Sequence, residues 1–344
     1  MAKSFDVSPE KEGSMLNFFQ RQLTQTPEVV QGVNLEGKTA IVTGSNVGVG
    51  LECSRRLLDL GLSKLVLAVR SEAKGQTALA DLSKGRNLKE GAIVVWHLDH
   101  SSYDSVLSFV EKTKTLDRLD IVILNIGIMT TSPKPNPNTG HEETIQVNYL
   151  SMALLAILLL PVIKSKLPEQ QGPSRITIVS SDASAWAKFK ERNEVPLLPS
   201  FDRPGKMDMV ERTFVSKLLG QFFLVELAKR VPPTVAIINA STPGMVHDSQ
   251  ISRDTAQTFS GKLAEVFRRR IGYTSTVGAR MITDAAVKHG EETHGQYLNF
   301  QKVKPMAPII YTAEGERIRD QLWKETMAEF SFAGAEDIIK DIRN

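Results

Sequence analysis

Seven short aliphatic runs punctuate the chain: TAIVTG (39–44), KLVLAVR (64–70), AIVVWHLD (92–99), LDIVILN (119–125), RITIVSS (175–181), TVAIINA (234–240) and GQYLNF (295–300). Helical stretches over 51–61, 141–166 and 208–230 fall between them, with another helix between the third and fourth runs. The runs are apolar throughout and do not alternate with polar residues. That is the pattern of strands covered on both faces, as in a parallel sheet between two layers of helices. One alternating series predicts one α/β, doubly wound domain over 37–302, with a mainly parallel seven-stranded sheet.

Three segments lie outside the series. Residues 1–36 form an N-terminal extension holding an amphipathic piece, MLNFFQRQL (15–23), expected to pack on the body. Residues 246–273 follow the sixth run, contain Arg268, Arg269 and Arg270, and are expected to fold over a ligand as a lid. Residues 303–344 form a C-terminal helical extension, with a terminal helix and an irregular tail over 313–344. The loops at 130–140 and 184–206 are read as surface and pocket-lining chain, with Trp186, Phe189, Met245 and Phe259 as apolar candidates for a pocket.

The most hydrophobic stretch, VNYLSMALLAILLLPVIK, is interrupted by Asn148, Tyr149, Ser151 and Pro161. Its purely apolar part falls short of the ~20 residues of a spanning helix. It is expected to be a buried helix, with no membrane span. Leu154 to Leu160 are apolar on nearly every side, which predicts a homodimer or homotetramer through the helices at 141–166 and 208–230.

Composition narrows the partners. Of 344 residues, 41% are hydrophobic and 24% charged, with a net charge of +3 spread along the chain, which gives no footprint for nucleic acid. The single cysteine, Cys53, excludes an internal disulfide and suits a reducing, cytoplasmic setting. It sits among Leu51, Leu57 and Leu58 and is read as packing. The first residues carry no apolar run before Ser8, so no signal peptide is expected. No residues are assigned to a metal.

VTGSNVGVG follows the first run and opens a helix. Gly44, Gly48 and Gly50, with Ser45, Asn46 and Val49 between them, let the backbone approach a pyrophosphate at a positive helix end. Position in the first βαβ unit makes this turn a dinucleotide site. The second run ends without the acidic residue that would hold the ribose hydroxyls of NAD. Arg70 stands there and Lys74 four residues on, so a 2′-phosphate, hence NADP, is favoured. Asp99 would accept from the adenine amino group, cap the next helix, or both.

These residues resemble those of the short-chain dehydrogenase/reductase family, in the branch of the retinol dehydrogenases and their fungal relatives. The resemblance runs from about Leu35 to Phe300. It rests on Thr43 to Gly50, "DH" at 99–100, "LNIGI" at 124–128, Asn148, "IVSS" at 178–181, "SKLL" at 216–219 and "PGMV" at 243–246. It implies a Rossmann domain and a set of roles. Asn125 and Gly127 would support the sheet and the cofactor ribose, with Ile126 in place of a small residue. Ser181, rather than Ser180, would hydrogen-bond a substrate carbonyl. Lys217 would hold the nicotinamide ribose, and Asn148 would seat a water in a proton relay. Pro243, Gly244 and Val246 would hold the nicotinamide amide, with Asp248 where the family has Thr. The resemblance also implies service in fungal secondary-metabolite pathways.

One position departs from the family. Its Tyr-x-x-x-Lys motif reads Thr213-Phe214-Val215-Ser216-Lys217 here. Residues four apart share a helix face, and an aliphatic hydroxyl has none of the acidity of a phenol of pKa ~10. A positioned general acid is worth ~10²–10⁴-fold in rate. Tyr273 is the one tyrosine retained as a substitute. The leading expectation is an NADPH-dependent reductase of a mid-sized apolar carbonyl or related acceptor, with Ser181, Lys217, Asn148 and Thr213 as the catalytic set. The alternatives are a repurposed fold catalysing a non-redox isomerisation, dehydration or cyclisation, and a noncatalytic NADP-binding protein.

Overall fold

A computed structural model describes residues 5–205, 207–249 and 266–343. Its centre is one sheet of strand order β3-β2-β1-β4-β5-β6-β7-β8. The strands are β1 (Thr39–Thr43), β2 (Lys64–Val69), β3 (Ile93–His97), β4 (Ile121–Leu124), β5 (Ser174–Val179), β6 (Ala236–Ser241), β7 (Tyr297–Asn299) and β8 (Lys302–Lys304). All pairings are parallel except β7 with β8. The eighth, edge strand is the one addition to the expected sheet. Its Lys-Val-Lys sequence carries too little apolar signal to stand out. The strand order reverses between β1 and β4, and the crevice outside the carboxyl ends of such strands is where doubly wound sheets bind ligands.

Helices α2 (Gly48–Asp59), α3 (Glu72–Ser83), α4 (Tyr103–Thr113), α5 (Ser151–Lys166), α6 (Met209–Ala228) and α7 (Ser275–Val287) cover the sheet. Sequence reading left α7 unassigned. Its small residues, Ser275, Gly278, Ala279, Ala285 and Ala286, give little amphipathic contrast because nearly all of it is buried. Cys53 packs beneath it on α2, wholly buried, with burial pushing its thiol up to about 12, which fits the packing role.

The chain before α5 departs from regular geometry. Gln146–Leu150 form a π-helical turn, and Ser151 N–H donates to Gln146 O. Single π turns of this kind collect at functional sites. The span Glu143–Glu169 is long and apolar enough to cross a membrane by length and composition, but 94% of its most apolar window is buried inside this chain. Leu154, Leu155, Ile157, Leu159 and Leu160 are all 0% exposed, each burial stabilising the fold by ~1.5–3 kcal/mol.

Both termini are helical and both dock on the body. The N-terminal extension forms α1 (Met15–Thr24). The C-terminal extension forms α8 (Ala313–Glu329) and α9 (Ala335–Arg343), so the expected irregular tail is a helix. Helix α9 packs on α5, and α8 on α6. A buried ion pair, Arg319 Nε to Glu226 Oε1 at 2.6 Å, and a hydrogen bond between the Tyr149 and Thr326 hydroxyls at 2.6 Å fasten α8. The apolar face of α5 thus finds its cover within one chain. The argument that it needs a second copy lapses.

Candidate active site

The glycine turn is built as its sequence requires. Gly44 and Gly48 have φ of +60° and +62°, a region that side chains disfavour. A Cβ on Gly44 would lie 2.5 Å from Asn125 O, and one on Gly50 2.5 Å from both Asn125 Nδ2 and Gly44 O. Asn125 Nδ2 donates to Thr43 O at 3.2 Å and Gly44 O at 3.4 Å, tying the end of β4 to the turn. Gly48 begins α2, so Asn46 and Val49 flank a helix N-terminus. The buried Ser45 hydroxyl has no hydrogen-bond partner. A positive helix end beside an unpartnered hydroxyl fits a bound diphosphate.

Arg70 follows β2, exposed, and Lys74 lies in the first turn of α3, also exposed. No hydrogen bond or ion pair among the described residues engages either side chain, so both are available to a phosphate. Asp99 does not cap α4, since Ser102 does, accepting from Ser105 N. Asp99 Oδ1 instead closes a local turn, accepting from Ser101 N at 2.9 Å and Ser101 Oγ at 2.8 Å. Its other oxygen has no hydrogen-bond partner among the described residues.

On the other side of the crevice, Lys217 rises from α6 between the ends of β4 and β5. Its ammonium donates to Ile126 O at 2.8 Å and Val179 O at 3.0 Å, and no carboxylate among the described residues pairs with it. Burial lowers its pKa to about 8. An ammonium has three hydrogens, so one has no partner among the described residues. Ser181 Oγ accepts from Ala183 N at 3.2 Å and has its own hydrogen free to donate. Ser180 points inward, where its Oγ meets Gln221 Nε2 at 3.5 Å. Gly127, half-buried, follows Ile126 in the segment that Lys217 grips.

Thr213 is placed one turn before Lys217 and is buried, but its hydroxyl donates to Met209 O at 2.8 Å. That hydrogen is committed to the helix backbone. The Asn148 amide is equally committed. Its Oδ1 accepts from Ile128 N at 2.8 Å, and its Nδ2 donates to Ile128 O and Ser216 Oγ, each at 3.0 Å. A void of about 10 Å³ lies between Asn148, Ser216 and Lys217, bounded almost wholly by carbon. The bonds to Ile128 make Asn148 a brace on the 126–128 segment.

No tyrosine hydroxyl bonds Lys217 or Ser181 among the described residues. Tyr273 donates to Gln25 O at 2.6 Å, so the retained substitute anchors the N-terminal extension. Burial pushes it up to about 12, away from useful acidity.

The turn after β6 packs on α7. A Cβ on Gly278 would meet Val246 Cγ2 at 2.8 Å and Pro243 O at 2.9 Å. Gly244 has φ +68°. Asp248 Oδ1 accepts from Ser275 N at 2.7 Å and Ser275 Oγ at 2.6 Å, so it tethers this segment to the start of α7. Much of the expected lid, with Phe259, lies outside the described residues. Phe189 is 1% exposed and belongs to the core beside Phe201 and Phe222. Trp186 is half-buried, edge-on to Phe214 at 6.0 Å and to Phe18 at 5.0 Å.

Sequence reasoning missed Arg21, Thr242 and Asn299, which meet at Asp182, the residue after Ser181, and Gln22, which bonds the turn at Met245. The polar residues on an amphipathic helix were the available signal, but partners more than 150 positions away carry no local one.

Comparison with known proteins gives a consistent answer. The family model described as short chain dehydrogenase matches residues 38–190. The short-chain dehydrogenase fogG of Aspergillus ruber is 47% identical over 99% of both chains. The short chain dehydrogenase/reductase mfmJ of Annulohypoxylon moriforme is 42% identical over 95% of this chain and 94% of its own. Among solved structures, a putative short-chain dehydrogenase/reductase from Burkholderia xenovorans superposes with a TM-score of 0.57 at 18% identity, covering 78% of this chain and 96% of its own. One from Shigella flexneri 2a, complexed with NADP, has a TM-score of 0.54 at 16% identity, covering 79% and 100%.

Proposed function

We propose that this chain, which belongs to the short-chain dehydrogenase/reductase family of oxidoreductases, is an NADPH-dependent reductase of a mid-sized apolar carbonyl compound in which Lys217 takes over proton delivery. One observation carries the reading. Among the described residues, Lys217 is desolvated, has no carboxylate partner, is poised at about 8, and keeps one hydrogen free. A general acid works best with a pKa near the operating pH.

NADP would be held by the turn Gly44, Ser45, Asn46, Gly48, Val49 and Gly50 and by Asn125, Gly127, Pro243, Gly244 and Val246. Arg70 and Lys74 would meet the 2′-phosphate, and Asp99 the adenine. When bound and reduced, the cofactor supplies the hydride that the acceptor carbon takes up. Ser181 donates its free hydrogen to the acceptor oxygen and fixes its orientation. Lys217 would give up a proton as that oxygen gains charge. Asn148 keeps Lys217 aimed by holding the carbonyl-bearing segment at 126–128. The rings of Trp186 and Phe214 suit an apolar acceptor.

A second reading, non-redox rearrangement on the same scaffold, is favoured by Thr213, whose hydroxyl has no hydrogen to give. The two readings separate when NADPH absorbance and product mass are followed together over a panel of aromatic and aliphatic ketones and aldehydes. The reductase consumes one NADPH per product. Product formed with NADPH intact would replace it with the rearrangement. We also place the protein in the cytoplasm, as a monomer, with its helix faces covered by its own C-terminus.

A further inference from the structure

Helix α1 precedes the segment that the family model matches, yet it closes on the functional end of the sheet. Arg21 is 7% exposed and lies between two carboxylates, 2.9 Å from Glu12 Oε2 and 3.0 Å from Asp182 Oδ1. Asp182 directly follows Ser181. It also accepts from Asn299 Nδ2 at 2.7 Å and Thr242 Oγ1 at 2.9 Å, and Thr242 Oγ1 accepts in turn from Gly244 N at 3.1 Å. The next helix residue, Gln22, reads the same turn from the other side. Its Oε1 accepts from Met245 N at 3.0 Å, and its Nε2 donates to Met245 O and Ile271 O, each at 3.1 Å. Trp186 Nε1 donates to Gly13 O at 2.9 Å.

Two buried carboxylates around one guanidinium make a poor stability device, because desolvation offsets most of the attraction. Burial raises both Asp182 and Glu12 above the usual carboxylate range. Apolar side chains would hold α1 in place at lower cost. What the charged cluster adds is direction, since each hydrogen bond fixes an atom of the chain beside Ser181 or of the turn at 242–245.

We propose that Arg21 and Gln22 are positioning residues of the catalytic end, Arg21 setting Ser181 through Asp182 and Gln22 setting the turn at 243–246. This rests on the roles given to Ser181 and that turn above. The test uses the full chain with Arg21→Met, Arg21→Lys and Gln22→Leu. It measures NADPH affinity, turnover of an aromatic ortho-quinone probe, and amide hydrogen exchange. Arg21→Met is expected to lower kcat ~10-fold or more, as small misplacements of reacting groups do. KM and NADPH affinity should hold within about twofold, and Arg21→Lys should recover much of the loss. Amides at 182–186 and 244–246 should exchange faster while those of β1 to β4 do not change.

Unchanged kcat and exchange in Arg21→Met would overturn the proposal. So would a loss that Arg21→Lys leaves unrescued and that comes with faster exchange through β1 to β4. If Arg21→Met does not fold, Gln22→Leu decides. Faster exchange at 244–246 with weaker NADPH binding supports the proposal, and no change in either defeats it. A wild-type protein that reduces no quinone counts against the redox reading, and the exchange data still judge the positioning.

Discussion

The two sides of the crevice are built on different terms. The side formed by β1, β2 and the start of α2 is assembled from residues close in sequence, among them its glycines, Arg70 and Lys74. The side formed by β5, α6 and β6 carries Thr213 and Lys217 and is packed by both terminal extensions. Helix α1 fastens the loops after β5 and β6. Helices α8 and α9 cover α6 and α5. On the proposed reading, cofactor binding and proton delivery are separable: the first rests on local glycine and basic residues, the second on Lys217.

The sharpest way to break this contrast is Lys217→Met. It should lower reductive turnover by ~10²–10⁴-fold while the glycine turn still binds the adenine half of NADPH. Stability should move the other way. The folded pKa of about 8 lies below the ordinary value of 10.5, so the burden of burying the ammonium is fully present below pH 8 and fades between there and 10.5. The methionine variant should therefore melt higher at neutral pH, a gain that shrinks as pH rises. Turnover that survives the substitution would place proton delivery elsewhere.

Thr213→Tyr restores the family's phenol one turn from the ammonium. Carbonyl reduction should rise ~10-fold or more, less whatever the ring loses to overpacking at a buried site, ~1–3 kcal/mol. If the native reaction is a rearrangement, native activity should fall instead. Kinetics on both substrate classes separate the outcomes. A folded Thr213→Tyr variant with neither change would mean that position 213 does not face the reacting atoms.

Arg70→Asp probes the other side of the crevice. It should convert a preference for NADP of about tenfold or more into one for NAD, by exchanging a phosphate partner for a ribose-hydroxyl acceptor. Equal binding of the two cofactors by the unaltered protein would end that assignment. The smallest effect concerns the extensions. Light scattering at micromolar concentration should find one chain per particle, because the face that predicted a partner is covered from within. A stable dimer would show that α8 and α9 leave another surface to pair.

Legibility followed sequence distance. Strands β1 to β7 and the glycine turn could be read because aliphatic runs and a turn with positive φ are local signals. Helix α7 could not, since small buried residues lack a polar face. The argument for an oligomer lost its premise because an all-round apolar helix reports burial without saying what covers it, and α8 and α9 supply that cover here. The site divided in the same way. Lys217 could be placed from its motif, but its lack of a carboxylate partner among the described residues, the committed hydrogens of Thr213 and Asn148, and the link from Arg21 to Asp182 are products of the fold.

The most direct test of the account is the pH dependence of single-turnover reduction of an aromatic ortho-quinone by prebound NADPH. With Lys217 as the acid, the rate should be constant at neutral pH and fall tenfold per unit above about 8. It should lose that break in Lys217→Met. A rate independent of pH through 8 to 10 in the unaltered protein, or the same break in the variant, would contradict it.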